Sequence, residues 1–403
     1  MTNIFFGLSG GLGPLMRNAP TAERFIQSGA SVYMSIYGES SMAWVERLGY
    51  KLLVDDDPTM PDPDKLIPPQ PAIYDLDHYY AQMGLLDERF AEAWIRQRIR
   101  MLESIGADLV IADMSPHTLI AAKVLGIPSV SIIQSCFHPD GKPLYFWGTP
   151  PRNLPKVTPV MNRLLHTFGL PAVERMEELF RADVDIVPGI PEMDRIYNNR
   201  VRYVGPISMN MPVSVGPELE KNFRRPAVLV YPGRLTDSAG DSGMYLVKAV
   251  LTAFAETPVF VVIATSETLP EAWLASLPSN IRIVPFVEEE RVGEFDLFIH
   301  HGGHGSCMSS IARGVPSLII PTHTEREFNA RHLHELGIGE YMMPRSFSPS
   351  HLYDLSKYIM QDEYRDHAGD LQKLLEKRGY QGALSVFECA QQLLRGTNRS
   401  TAR

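Results

Sequence analysis

Three cysteines in 403 residues, Cys136, Cys307 and Cys389, lie too far apart to frame a disulfide scaffold or to supply the paired thiolates of a zinc site. That usage predicts a reducing, cytoplasmic setting. Cationic excess is lacking too: 47 acidic against 38 basic residues leave a formal net charge of -9. Phosphate backbones and anionic headgroups both require a cationic face, so neither nucleic acid nor a membrane surface is an expected partner. No apolar run reaches transmembrane length, and Met1-Thr2-Asn3-Ile4-Phe5-Phe6 has neither the basic region nor the apolar stretch of a signal peptide. Hydrophobic residues at 44% and charged residues at 21% exclude the disordered and fibrous classes. A chain of 403 residues exceeds what one core usually organises. It predicts two domains of about 200 residues each.

What is present is a repeating grammar. An apolar run, Ile4 to Leu8, leads through a glycine-rich turn into a helical pattern carrying Ala22, Phe25 and Ile26, which closes at Gly29; a second apolar run, Ala30 to Ile36, follows. The unit recurs as a helix from Phe90 to Ile105, the run from Asp108 to Ala112, a helix from Thr118 to Leu125, and the run from Ile127 to Ile133. Strands separated by helices predict an open parallel sheet. Two stretches interrupt it, the acidic, proline-rich 55–71 and the proline- and aromatic-rich 137–159. Loops at the carboxyl ends of such strands line the ligand crevice, so both are candidate substrate-facing walls, with plain surface loops the alternative. After the turn residues Gly205-Pro206, Gly216-Pro217 and Arg225-Pro226, a second series of runs begins at Ala227, Val259, Ile281, Leu297 and Ser317. The expected fold class is therefore α/β, with two Rossmann-like domains facing each other across a cleft. The first spans 1–208, a linker 209–225, the second 226–381, and a helix ending near Leu394 with a polar tail fills 382–403.

The richest chemistry lies in Leu297-Phe298-Ile299-His300-His301-Gly302-Gly303-His304-Gly305-Ser306, which reads as strand, glycine turn and helix, followed by Gly314-Val315-Pro316. Glycines admit a ligand close to the backbone, and free amides at a helix start, with the Ser306 hydroxyl, suit a phosphate or pyrophosphate. The imidazoles of His301 and His304 can donate to the same oxygens. From the residues alone, three readings of these histidines stand: phosphate ligands, metal ligands without a flanking cysteine or carboxylate, or structural histidines around a turn. A dinucleotide fingerprint at Gly7, Gly10, Gly11 and Gly13 is disfavoured, because the glycine order is wrong and Glu39 is only loosely placed as the acidic partner.

The run His300 to Ser306, with Gly314-Val315-Pro316, Pro321 and Glu325-Arg326-Glu327-Phe328-Asn329-Ala330, resembles the donor-site signature of family-one nucleotide-sugar glycosyltransferases of the GT-B fold and bacterial natural-product type. The segment Gly11 to Arg17, and Ala107 to Asp113 with Leu125-Gly126-Ile127-Pro128, resemble the first domain of that family more loosely. The resemblance implies a UDP- or dTDP-sugar as donor substrate, a small-molecule acceptor, and no cofactor or metal. It implies that His301 contacts the diphosphate, with Gly303, His304, Gly305 and Ser306 forming the cradle, and that Phe286 and Val287 hold the nucleobase. Glu325, Arg326 and Asn329 fall where the family reads sugar hydroxyls, and Gly233 and Arg234 where a glycine is usually followed by serine or threonine. Arg326 departs from the family's glutamine and is expected to pair with Glu325 or Glu327. Ser309 stands where many relatives place a glutamate on the ribose hydroxyls.

By the same resemblance, the turn Gly11, Gly13 and Pro14 faces the acceptor, and Pro14 matches the position of the family's base histidine. Proline cannot titrate, so Asp113, which matches the partner aspartate, is a candidate base, with His117 and His138 as alternatives and a helix cap as the competing role for Asp113. The expected function is inverting transfer of a sugar to a small molecule in secondary metabolism. The alternatives are an epimerase or hydrolase of nucleotide sugars, or a non-catalytic nucleotide-sugar-binding protein. Tyr74, Tyr79, Tyr80, Tyr145, Phe146 and Trp147 fit a flat or apolar acceptor, or equally a packed core.

Overall fold

Every residue of β1 (Asn3–Leu8) after the first is buried. A strand covered on both faces belongs in the middle of a parallel sheet, and β1 pairs in parallel with β2 (Ser31–Ser35) and with β4 (Leu109–Asp113), Ile4 lying between Val32 and Leu109. The sheet continues with β3 (Lys51–Leu52), β5 (Ser129–Ile132), β6 (Val184–Val187) and β7 (Arg202–Tyr203), in the order β3-β2-β1-β4-β5-β6-β7. A second parallel sheet comprises β8 (Ala227–Tyr231), β9 (Phe260–Ala264), β10 (Ile281–Val284), β11 (Leu297–His300), β12 (Ser317–Ile319) and β13 (Gly339–Tyr341), in the order β10-β9-β8-β11-β12-β13.

The structure is a computed structural model. It describes residues 2–400 except Pro71, Ser208, 210–218, Lys221 and 237–239, with the backbone alone described for Arg345 and 397–400. The expected linker 209–225 lies largely outside the described residues. The chain divides into two compact units, one of Met1–Pro69, Ile73–Met209 and Tyr380–Arg403, the other of Gln70–Ala72 and Asn210–Gly379.

In each sheet the strand order reverses once, between β1 and β4 and between β8 and β11. Loops leaving the carboxyl ends of strands on either side of such a reversal diverge and open a crevice for ligands. In the first unit those ends are Leu8 and Asp113, which face one another in register. In the second they are Tyr231 and His300, likewise in register.

Three helices carry the crossovers around the first reversal: Leu12–Gln27, Glu88–Ile105 and Pro116–Leu125. Phe6, Leu15 and Phe25 form one core layer, which the terminal helix Ala383–Ser400 completes by setting Phe387 edge-on to Phe25 at 4.9 Å. Full burial of a side chain like Phe25 contributes roughly 1.5–3 kcal/mol. The terminal helix thus belongs to the first unit, entered where the Gly382 amide donates to the Val204 carbonyl at 2.9 Å.

Some expectations are corrected. The short strands β3, β6, β7 and β13 were not expected, because two to four residues with interspersed charge carry no periodic signal. The helix after β1 starts at Leu12, so Gly13 and Pro14 sit in its first turn, where proline is tolerated, rather than in the preceding loop. The terminal helix continues past Leu394 to Ser400, where a polar tail was expected from Gly396.

Candidate functional site

The second unit's reversal is lined by glycine for steric reasons. Gly302 has φ +91, and a Cβ there would come within 2.9 Å of both the Arg326 carbonyl oxygen and Ile319 Cγ2. Gly233, at φ +74 after β8, would bring a Cβ to 2.9 Å from His301 Nδ1. The His301 ring is wedged between these loops, with Tyr231 edge-on at 5.5 Å. Its Nδ1 is buried without a hydrogen-bond partner. Burial, followed by the nearby Arg326 cation, holds the proton affinity of His301 well below that of a free imidazole, so the ring is neutral near pH 7.

One residue earlier, the wholly buried His300 is fixed structurally. Its Nδ1 accepts from the Gly302 amide at 3.1 Å, which places the proton on Nε2, 3.1 Å from Ser317 Oγ. Ser317 donates to Ser310 Oγ at 2.8 Å, and Ser310 to the Val315 carbonyl at 2.6 Å. This chain of bonds locks the β11 end and the following helix into one arrangement.

That helix, His304–Arg313, begins after Gly303 with no side chain capping it. Its opening amides are therefore available to an anion, and the positive end of the helix dipole points the same way. Gly305 is exposed with open space where a Cβ would stand, Ser306 is half-buried, and His304 is buried. Asn329 is not open to solvent: its Nδ2 bridges the Gly302 carbonyl at 2.9 Å and Glu325 Oε1 at 2.8 Å. Phe286, 39% exposed, and the half-buried Val287 follow β10. Arg234 is exposed. Ser309, in the helix, donates to Glu289 Oε2 at 2.7 Å.

In the first unit, Asp113 has no exposed surface, and both its oxygens are occupied. Arg17 Nε reaches Oδ2 at 2.5 Å, Arg17 Nη2 reaches Oδ1 at 2.7 Å, and Asn18 Nδ2 adds a third bond at 2.7 Å. His117 is buried, stacked on Trp94 at 3.8 Å, with Nε2 within 2.9 Å of both Tyr37 Oη and Arg98 Nη2, and Nδ1 3.3 Å from Ser115 Oγ. Burial and then Arg98 keep it neutral. His138 Nδ1 accepts from the Asp140 amide at 3.0 Å, and Nε2 lies 3.3 Å from Asp185 Oδ2. The flanks of the two long loops meet: Tyr74 and Tyr145 are edge to face at 4.9 Å, Tyr145 and Trp147 lie 4.7 Å apart, and Lys156 bonds Asp75 at 2.7 Å. Tyr80 is core, at 2% exposure.

Residues 248–376 match the C-terminal domain of erythromycin biosynthesis protein CIII-like proteins. The chain is 28% identical over 191 residues to the NDP-glycosyltransferase YjiC of Bacillus subtilis (strain 168), an alignment spanning 45% of this chain and 46% of that one. Over nearly all its length it superposes on the calicheamicin glycosyltransferase CalG4 (TM-score 0.70, 18% identity, 98% of both chains). It does the same on the glycosyltransferase VinC in complex with dTDP (TM-score 0.68, 18% identity, 99% of this chain and 100% of that one). The likeness to these structures shows the GT-B fold for this chain.

The Arg326 guanidinium donates to the Thr322 hydroxyl, while Glu325 is bonded to Asn329 and Glu327 is paired with Arg331. Residues four apart on a helix share a face. One expectation is corrected: Asp113 does not cap a helix, since Ser115 occupies the N-cap before Pro116. Arg17, Asn18, Tyr231 and Glu289 were not foreseen as site neighbours. For Arg17 and Asn18 the signal was the helical spacing from Pro14, visible once the helix is known to start at Leu12.

Within the described residues no group of three or more His, Cys, Asp or Glu side chains is placed to hold a metal ion. No helix among them is long and apolar enough to cross a membrane.

Proposed function

We propose that this protein transfers a sugar from a nucleoside-diphosphate sugar, UDP- or dTDP-linked, to a small-molecule acceptor with inversion, in the cytoplasm and in secondary metabolism. One observation carries the reading: the cradle at the β8/β11 reversal, where glycines clear space beside a buried His301 nitrogen lacking a partner and an uncapped helix start. Diphosphate oxygens satisfy both. The imidazole donates to one oxygen, and the amides at Gly305 and Ser306 receive others, so charge developing on the leaving group as the anomeric bond breaks meets donors already in place. Gly303 and His304 shape that cradle, Phe286 and Val287 hold the base, and Gly233 and Arg234 close it on the β8 side. Glu325 and Asn329 are tied together, and we assign them the sugar-facing end beside Arg326.

The acceptor is placed in the first unit, against the half-buried Tyr74, Tyr145, Phe146 and Trp147. There Gly11, Gly13 and Pro14 bring no titratable group, while Asp113, His117 and His138 already have their polar atoms engaged. Asp113 is assigned a positioning role, holding the helix start through Arg17. An acceptor that needs little base, such as an amine or an activated carbon, suits this arrangement.

Calorimetric titration with UDP, dTDP and GDP, comparing wild type with His301→Ala and Ser306→Ala, tests the reading. Binding of one nucleotide in the micromolar range, weakened about tenfold by either change, is expected. Binding by none of the three removes the donor site and the function with it.

A further inference from the structure

The acidic stretch after β3 is tied to the Glu88–Ile105 helix at two places. At the first, Asp56 Oδ1 accepts from Gln97 Nε2 at 2.6 Å and Asp57 Oδ2 from Arg100 Nη2 at 2.7 Å. At the second, Asp87, which caps the helix, accepts from the Asp62 amide at 3.0 Å, and Lys65 Nζ lies 3.5 Å from its other oxygen. The segment therefore runs antiparallel to the helix, with Asp57 beside Arg100 and Asp62 beside Asp87. Those two helix positions are about 20 Å apart along the axis, and the chain from Asp57 to Asp62 reaches about 17 Å when fully extended. Side-chain reach supplies the remainder, so the segment is a strap with little slack.

Burial does not hold the strap down. Met60 is 72% exposed, and the run from Pro58 to Pro63 lines, with Arg89, a cleft of about 550 Å³. The two fastenings differ in kind. At the Asp57 end the Arg100 side chain is 53% exposed, and an ion pair open to water is weak and fades as salt screens it. At the Asp62 end the Asp87 side chain is only 5% exposed and takes two backbone amides, that of Asp62 at 3.0 Å and that of Arg89 at 3.1 Å. Charge-assisted bonds to a buried carboxylate are strong and poorly screened. Pro61 is also seated against Gly84, where a Cβ would meet it at 2.7 Å. The root of the strap is fixed as well, since the Leu53 amide donates to the Met34 carbonyl at 2.8 Å. The half-buried Asp55 that follows lies within the field of both the buried Arg98 cation and Tyr37. Tyr37 in turn stands against the turn after β1, its carbonyl oxygen 3.2 Å from where a Cβ on Gly10 would lie.

We propose that residues 56–61 form a strap latched at Asp56 and Asp57 and hinged at Asp62, which rising salt unlatches while the root and the hinge hold. Freed at Asp57, the strap bows away from the helix between its two fixed ends. It leaves the sheet at the carboxyl end of β3, beside Tyr37 and the turn after β1, where the loops of the first unit line its crevice. Unlatching therefore widens that edge of the crevice, and latching narrows it.

Paired spin labels on the full chain read the movement, since Cys136, Cys307 and Cys389 are buried and leave introduced thiols as the labelling sites. The pair Met60→Cys with Arg96→Cys spans strap and helix at two exposed positions. Raising sodium chloride from about 0.01 M to about 1 M shortens the screening length from about 30 Å to about 3 Å. The distance between the labels is then expected to lengthen by up to about 7 Å, the reach of two freed residues. Asp57→Asn and Arg100→Gln should each give the longer distance already at low salt. The pair Leu66→Cys with Arg96→Cys, beyond the hinge, should keep its distance throughout. The latch is refuted where salt leaves the first distance unchanged, or where both substitutions do. A change at Leu66 equal to that at Met60 refutes the hinge, because the whole segment would then be leaving the helix.

Discussion

Arg17 grips Asp113 through both carboxylate oxygens, at 2.5 and 2.7 Å, across 96 residues of sequence. The pair ties the first turn of the helix after β1 to the end of β4, and Asn18 reinforces it by bonding both Asp113 and the Pro14 carbonyl. Pro14, Arg17 and Asn18 share one helical face, so a single carboxylate orients the whole glycine-rich turn after β1. A carboxylate so engaged holds its surroundings in place.

Removing the cation alone should therefore be costly. Arg17→Met leaves Asp113 buried and uncompensated, and a loss of about 3–5 kcal/mol is expected. Asp113→Asn should also destabilise, and the double variant should lose less than the sum of the two. Urea denaturation of all four proteins measures the coupling; additive losses would mean that the pair does not act as a unit.

Gly233 should matter to ligand more than to fold. An alanine there meets His301 Nδ1 at 2.9 Å and must also adopt φ +74. Displacing the ring by a few tenths of an ångström would disturb the diphosphate contact proposed for it, so Gly233→Ala should weaken nucleotide binding about tenfold, with about 1 kcal/mol lost in stability from the backbone strain. Titration beside thermal denaturation separates the two. Undiminished affinity in a folded variant would contradict the placement of His301 against the diphosphate.

Acid should unfold the second unit early. Burial lowers the pKa of His300 to about 3 and keeps His301 neutral as well, whereas a histidine in the unfolded chain titrates near 6.5. Between those values the unfolded state binds a proton that the folded state refuses, so stability is complete above about pH 6.5 and falls as pH drops. His300 alone accounts for about 2 kcal/mol at pH 5. Denaturation midpoints of wild type and His300→Asn at pH 7 and pH 5 check this; the variant should show the shallower dependence. Equal dependence in both would place the acid sensitivity elsewhere.

The sequence by itself determined the two parallel sheets and the glycine-lined turn. Strands buried on both faces must be nearly continuous apolar runs, and Ala227–Tyr231 or Leu297–His300 can scarcely be anything else between helices. Likewise Gly302 and Gly233 announce a backbone that other residues resist. Tertiary structure alone decided what those elements bring together. β3 and β7, two residues each, exist only because a neighbouring strand offers them a register. The hold of Arg17 on Asp113, the sealing of His117 between Trp94 and Arg98, and the meeting of Glu289 with Ser309 join residues whose separation in the chain says nothing of their distance in space. Local conformational preference is written residue by residue, whereas burial and side-chain pairing depend on which distant segments each folded sheet sets side by side.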